Sequence, residues 1–133
     1  MKGKLTLKWI MIGIGGSIGA VLREGIGTII TPLTGGFPLG TWIINMLGCF
    51  LLGWLVEARF IRNKLHADIH LALRTGLIGA FTTFSAFSVE NIALIRQDQL
   101  VMSSLYIVLS VALGIGFTAL GMWEARRTQR TLS

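Results

Sequence analysis

Residues 76–90, which read GLIGAFTTFSAFSVE, decide the fold of this chain. The stretch is apolar enough to lie in a bilayer, yet it carries hydroxyl side chains beside three phenylalanines. Phe81, Phe84 and Phe87 recur every three residues, so a helix would present them as an aromatic stripe. Gly79 lies just upstream of two consecutive threonines, and all three are poor helix formers. We therefore predict a helix that breaks here, with freed carbonyls that must be buried in protein or line a cavity.

The composition of the whole chain is that of a membrane protein. Mean hydropathy is +0.71, 53% of the residues are hydrophobic, and only 14% are charged. The charges are gathered between long apolar stretches, which argues against a soluble core. We predict one all-α integral membrane domain, residues 1–133, whose third transmembrane helix is broken near its middle. The four predicted spans are about 9–30, 41–59, 71–95 and 101–123.

Charge and motif content argue against other classes of protein. The net charge is +6, but the basic residues lie at span ends, where they meet lipid headgroups rather than nucleic acid. No nucleotide-binding, HExxH or nucleophile-elbow motif is present in the sequence, which supports no enzymatic chemistry. His66 and His70 have the i, i+4 spacing of metal ligands, but a solvated loop at 60–70 is the simpler interpretation. Cys49 is interpreted as a packing residue.

The connections and the glycines predict how the spans assemble. We expect a proline-containing loop at 31–40, a tight turn at 96–99 and a frayed basic tail after Glu124. Gly15 and Gly19 form a small-xxx-small face suited to close helix packing. Because four helices leave little room for a channel with a complete wall, we expect the chain to oligomerise.

Three polar residues within the spans each have two interpretations. Arg23 either snorkels to the interface or is a buried charge that supports the fold. Asn45 either joins two helices or lines a pathway, where its amide protons could bind an anion without adding charge. Glu90 is a carboxylate inside a span but off-centre, whereas a proton-driven transporter usually needs a titratable group near the midplane.

The phenylalanine stripe also predicts an anion pathway. An aromatic ring has a negative face and a positive edge, so ring edges on a pore wall attract a small anion. Lipid contact or core packing is the commoner role of such a stripe. Hydroxyl side chains at the same pitch shift the interpretation toward a pathway.

Three segments resemble one family. Residues 79–90, GAFTTFSAFSVE, resemble the GGFTTFSTFS-E signature of the CrcB/Fluc fluoride channels. Residues 40–50, GTWIINMLGCF, are similar to that family's GT-x-x-x-N-x-x-G-x-F segment, and residues 15–23, GGSIGAVLR, to its GG-x-x-GA-x-x-R run. Ala86 stands where the family usually has Thr, and Glu24 where an aromatic residue is common.

The resemblance implies a passive fluoride channel of the bacterial cytoplasmic (inner) membrane, which exports fluoride and lowers its cellular level. It also implies a dual-topology, antiparallel homodimer with a structural sodium ion bound by the backbone carbonyls of Gly79 and Thr82. Arg23 would be a structural charge. The implied fluoride pathway comprises Asn45, Phe84, Phe87, Ser85, Thr41, Ser110, Tyr106 and Glu90.

Two alternatives and one conflict accompany this reading. A small four-helix multidrug or cation exporter would need a carboxylate in the middle of the first span, and a non-transporting assembly subunit would leave the hydroxyl stripe unexplained.

The conflict concerns the orientation of the chain in the membrane. Nine Lys and Arg residues lie on the side of the termini against Arg96 opposite, which favours one orientation. The resemblance implies mixed orientations, and we adopt that expectation because its motifs are specific.

Overall fold

A computed structural model describes residues 2–30, 36–58, 61 and 64–132. The helices are α1 Lys2–Ile30, α2 Leu39–Glu57, α3 Ala67–Leu71, a π-helical segment Ala72–Ile78, α4 Gly79–Phe81, α5 Phe84–Arg96 and α6 Leu100–Leu132. Four stretches are long and apolar enough to cross a membrane: Thr6–Ile30, Leu39–Glu57, Ala67–Arg96 and Leu100–Thr131. Over the described ranges there is no strand. The all-α, four-span prediction is confirmed.

The third span is broken at the two threonines. Gly79 has helical dihedrals (φ −63°, ψ −32°), and α4 continues to Phe81. The backbone is then extended at Thr82 (φ −76°, ψ 155°) and Thr83 (φ −147°, ψ 121°). The hydroxyl of Thr83 accepts from the N–H of Ala86 at 3.2 Å and so caps α5. The predicted break is confirmed, but the β-branched capping residues make it rather than the glycine.

Glycines bring the first and third spans into backbone contact. A Cβ on Gly19 would collide with the carbonyl of Leu77, and a Cβ on Gly15 would lie 2.7 Å from the carbonyl oxygen of Ala72. On the facing segment, a Cβ on Gly76 would collide with the carbonyl of Ile12. The predicted Gly15 and Gly19 face is therefore confirmed as the surface that packs against the third span.

The second and fourth spans approach each other in the same way. A Cβ on Gly53 would collide with the carbonyl of Thr118, and one on Gly121 with the carbonyl of Phe50. On α2, the Thr82 methyl group of the third span occupies the space that a Cβ on Gly48 would need. The second helix α2 therefore packs against both the broken segment and α6.

The third span begins earlier than expected, and the solvated-loop interpretation is wrong for His70. The helix starts at Ala67, where the side chain of His66 accepts from the N–H of Asp68 at 3.4 Å. His70 is therefore buried within the helix, with Nε2 3.2 Å from the carbonyl oxygen of Leu55. Across the part of the chain that the structure describes, His, Cys, Asp and Glu form no group of three that could bind a metal.

The expectation of a frayed tail is also wrong, because α6 runs to Leu132. Ala125 is fully buried, Arg126 Nε lies 3.1 Å from Glu57 Oε1, and Gln129 Nε2 donates to the Glu57 carbonyl at 2.8 Å. Glu57 is the last residue of α2, so its carbonyl has no N–H donor inside the helix. Gln129 supplies that donor and Arg126 pairs with the Glu57 carboxylate, and these contacts hold the tail against α2.

The turn expected at 96–99 is confirmed. Asp98 adopts a left-handed backbone (φ 58°), and the N–H of Gln99 donates to the Leu94 carbonyl at 2.9 Å. This pattern closes a helix C-terminus and reverses the chain into α6. The loop expected at 31–40 lies outside the described residues as far as 35. In the connection at 60–70, the same is true of residues 60, 62 and 63.

The glycine contact between the first and third spans yields a stability test. Gly19→Ala should destabilise the protein by about 2 kcal/mol, because a methyl group there overpacks against backbone that cannot rotate away. Gly13→Ala is the matched control on the same helix, since nothing lies within 4 Å of its Cβ position. Thermal unfolding in detergent micelles measures both. Equal melting temperatures for the two variants would contradict the packing.

Candidate functional site

The break in the third span is held by the side chain of Asn45. Thr83 is extended, so its N–H and C=O both point away from the helix axis. The N–H donates to Asn45 Oδ1 at 2.8 Å, and Asn45 Nδ2 donates to the carbonyl at 3.0 Å. One amide side chain therefore satisfies both backbone groups, as a neighbouring strand would. Asn45 joins two helices, and the second proton on its Nδ2 is not part of this pair.

Arg23 supports the other side of the break. Its Nη1 donates to the carbonyl of Ala80 at 3.2 Å. In an unbroken helix that carbonyl would accept from the N–H of residue 84, which instead begins a new helix. The guanidinium is half-buried. This geometry agrees with the interpretation of Arg23 as a charge that supports the fold.

The two carbonyls expected to bind sodium have both lost their usual helical donors. The N–H of Thr83, four residues after Gly79, donates to Asn45. The N–H of Ala86, four residues after Thr82, donates to the Thr83 hydroxyl. The break therefore diverts the regular i+4 partners of two neighbouring carbonyl oxygens, which are ligands that suit a hard cation.

A groove with a volume of about 360 Å³ opens beside the break, between α2 and α6. It is lined by Asn45, Met46, Gly48, Cys49, Leu52, Thr82, Thr83, Phe84, Phe87, Ser110, Val111 and Thr118. Asn45, Phe84, Phe87 and Ser110 were expected in the pathway, and the fold brings these four together. Phe84 is 80% exposed in the single protomer. The hydroxyl oxygen of Ser110 is buried and, within the described residues, has no hydrogen-bond partner.

A second cluster continues from the groove through Phe87. The ring of Phe87 lies 4.9 Å from that of Tyr106, centroid to centroid. Tyr106 is fully buried, and its hydroxyl donates to Glu90 Oε2 at 2.9 Å. Thr41 Oγ1 donates to Glu90 Oε1 at 2.6 Å. Thr41, Tyr106 and Glu90, which were all expected in the pathway, thus form one hydrogen-bonded unit that contacts the Phe87 ring through Tyr106.

Ser85 is placed differently from the other expected pathway residues. It is exposed, and its hydroxyl lies 3.1 Å from Thr83 Oγ1. It is not among the described residues that line the groove. In this protomer Ser85 belongs to the cap of α5.

Sequence reasoning missed one buried polar pair and part of the groove wall. Asn91 and Ser103 are buried and hydrogen-bonded to each other. The available signal was an amide inside an apolar span, immediately after Glu90, which is as unusual in hydrocarbon as Asn45. Thr118 lines the groove from the fourth span. Its contribution depends on the packing of α2 on α6, which the sequence does not specify.

Four apolar spans and a broken helix, with a mostly apolar groove beside it that contains a few polar groups, define a multi-pass membrane protein with a candidate transport path. The family model described as CrcB-like protein, Camphor Resistance (CrcB), matches residues 10–122. The match covers most of the chain, and the protein belongs to this family.

Curated relatives agree with the assignment. A fluoride-specific ion channel FluC of Oceanobacillus iheyensis is 45% identical over 113 residues, which cover 85% of this chain and 87% of the relative. The fluoride-specific ion channel FluC 1 of Bacillus cereus is 43% identical over 116 residues, 86% of this chain and 85% of the relative. That of Prosthecochloris aestuarii is 38% identical over 117 residues, 88% and 91% respectively. The protein is a multi-pass protein of the bacterial inner membrane.

The two hydrogen bonds between Asn45 and the Thr83 backbone, here called the Asn45 clamp, lead to a prediction about stability. Asn45→Asp removes the Nδ2 donor and sets a carboxylate oxygen against the Thr83 carbonyl. We expect a loss of about 3 kcal/mol, since a buried acceptor is left unpaired. Asn45→Gln keeps both groups on a longer side chain and should be milder. Thermal unfolding in micelles ranks the variants, and a melting temperature for Asn45→Asp equal to that of the parent would exclude the clamp.

Proposed function

We propose that the protein is a passive, fluoride-selective channel that exports fluoride and lowers its level in the cell, and that it carries out no catalysis. The observation that carries the proposal is the groove at the break, where two phenylalanines face neutral hydrogen-bond donors. Three curated relatives named above as fluoride-specific channels support it. No described lysine or arginine lines the groove.

Neutral donors suit a small anion that must move. Fluoride enters such a groove only if protein donors replace its water. The Ser110 hydroxyl lacks a partner among the described residues, and Asn45 has a second amide proton outside its clamp. The edges of Phe84 and Phe87 add positive electrostatic potential without a fixed charge. A buried lysine or arginine would hold the ion too tightly, since binding in a channel must also allow exit.

The cluster beyond Phe87 provides the next donors. The hydroxyl protons of Thr41 and Tyr106 both point to the Glu90 carboxylate. An arriving anion would compete with this carboxylate for the same protons. Because a hydroxyl proton can rotate between two acceptors, Thr41 and Tyr106 can donate to the ion and then return to Glu90. Glu90 would thus keep these donors inside hydrocarbon while the path is empty.

We also propose that two copies assemble as an antiparallel homodimer from chains of mixed orientation. The groove is open beside Phe84, which is 80% exposed, and an ion path within hydrocarbon must be enclosed by protein because lipid cannot solvate an ion. A second copy related by a twofold axis would provide that enclosure. Accessibility of a terminal tag from only one side of the membrane in cells would overturn the mixed orientation.

The twofold axis would also complete a structural sodium site. Gly79 and Thr82 from each copy would supply four backbone carbonyl oxygens, all with diverted helical donors. A bound sodium ion would neutralise these partial charges in a place that lipid cannot solvate.

Sodium withdrawal tests that site. Replacing Na⁺ by N-methylglucamine should lower the melting temperature of the dimer, because an ion at 100 times its Kd adds about 2.7 kcal/mol of stability. Potassium chloride at equal ionic strength is the control for screening. An identical melting temperature in all three salts would exclude a structural sodium ion.

The ring mechanism is tested by fluoride flux from liposomes. Phe84→Ile and Phe87→Ile should each lower fluoride flux about 100-fold or more, the order seen when one aligned electrostatic group is removed, while the dimer stays assembled. Phe117→Ile is the matched control, because Phe117 lies on α6 and is not among the residues lining the groove. Parent-like flux in both groove variants would refute the role of the ring edges.

The alternatives receive no support from these findings. A multidrug or cation exporter would need a carboxylate in the middle of the first span, and Glu24 lies near its end and is exposed. A non-transporting subunit would leave unexplained why Ser110, which lines the groove, has a buried hydroxyl without a partner among the described residues. The relatives described above are named as channels.

A further inference from the structure

Two polar side chains outside the groove are buried between α5 and α6. Asn91 is 6% exposed and Ser103 is 3% exposed. Ser103 Oγ donates to Asn91 Oδ1 at 2.9 Å, and Asn91 Nδ2 donates to the carbonyl of Phe87 at 2.8 Å. The amide of Asn91 therefore connects the backbone of a groove phenylalanine to the facing helix.

The position of this pair in the hairpin relates it to the groove. Asn91 lies one turn after Phe87 on α5, and Ser103 one turn before Tyr106 on α6. The Phe87 and Tyr106 rings, 4.9 Å apart, are thus the next contact along the same seam. A shift of one helix along the other would separate both pairs at once.

The tight turn at 97–99 fixes the two helices at one end, but apolar contacts alone would fix their register poorly further along the hairpin. Burial of apolar surface is non-directional, and Val89, Ile92 and Val101 on these helices are exposed, so they do not lock the two helices in one register. A hydrogen bond between two buried side chains forms in one register only, and a slipped register leaves an amide unpaired in hydrocarbon. Single buried polar residues set helix register in coiled coils for this reason.

We propose that Asn91 and Ser103 form a positioning pair that sets the register of α5 on α6 and thereby holds the Phe87 ring against Tyr106. Neither residue is among the described residues that line the groove. The inference rests on the proposed function only where it links the Phe87 position to fluoride flux; the claim about register stands on the geometry.

Tyr106 is the only tyrosine in the chain, so 3-fluorotyrosine labels this one site for ¹⁹F NMR. In Ser103→Ala we expect a shifted or doubled ¹⁹F resonance and a fall in fluoride flux per assembled protein of about fivefold, the order expected of a positioning residue outside the site. Ser104→Ala, the adjacent and exposed serine, is the matched control and should match the parent in both measurements.

A second variant removes the risk that an unpaired amide prevents folding. In Asn91→Leu with Ser103→Ala no buried polar group is left over, so the helices should still assemble. We expect this double variant to show the same altered resonance and the same loss of flux as Ser103→Ala. A purely structural hydrogen bond would lower only the yield of assembled protein, leaving the resonance and the flux per assembled protein unchanged.

The ¹⁹F resonance and the fluoride flux together separate this inference from the proposed function. If the double variant and Ser103→Ala both keep the parent resonance, the positioning role is overturned whatever the flux. If the resonance changes with parent-like flux, the link to Phe87 is overturned. If the parent itself conducts no fluoride, the proposed function fails, and the resonance alone then decides whether the pair sets the register.

Discussion

The hydrocarbon of a bilayer supplies no hydrogen-bond partners, so the backbone groups freed at the break in the third span must find partners within the protein. The rest of this structure depends on how that requirement is met. The backbone leaves the helix at Thr82 and Thr83, where water would normally satisfy the freed groups. Protein side chains satisfy three of them here: Asn45 binds the N–H and the carbonyl of Thr83, and Arg23 binds the Ala80 carbonyl. The two carbonyls of the proposed sodium site are the exception. Both side chains come from other helices, so the first and second spans must pack closely on the third.

The glycine contacts follow from this requirement. An amide side chain is short, and it reaches Thr83 only if the second span lies close to the break. Gly48 provides that closeness, because the Thr82 methyl group occupies the space of its missing side chain. The groove opens beside this same contact, because Gly48 and Thr82 line it together with Phe84, Phe87 and Ser110. The proposed ion path is thus a consequence of how the break is supported.

Much of this could be predicted from the sequence, and the failures share a cause. Adjacent threonines after a glycine predict a break, and Gly15 with Gly19 predicts a packing face, because both are local properties. The exact position of the break was not predictable, since a glycine tolerates helical dihedrals as Gly79 does. His70 and the α6 tail were misjudged because their partners, Leu55 and Glu57, lie on a distant segment. The Asn91 and Ser103 pair depends on which faces of two helices pack together, which neither helix encodes alone.

Electrogenic fluoride release from liposomes that contain the purified chain tests the central claim most directly. The liposomes hold potassium fluoride and potassium chloride, and valinomycin supplies the balancing movement of K⁺. A passive, selective channel predicts that fluoride leaves only after valinomycin is added and that chloride is retained. Fluoride release without the ionophore would indicate coupled exchange, and equal release of chloride would remove the selectivity. Either result would contradict the account.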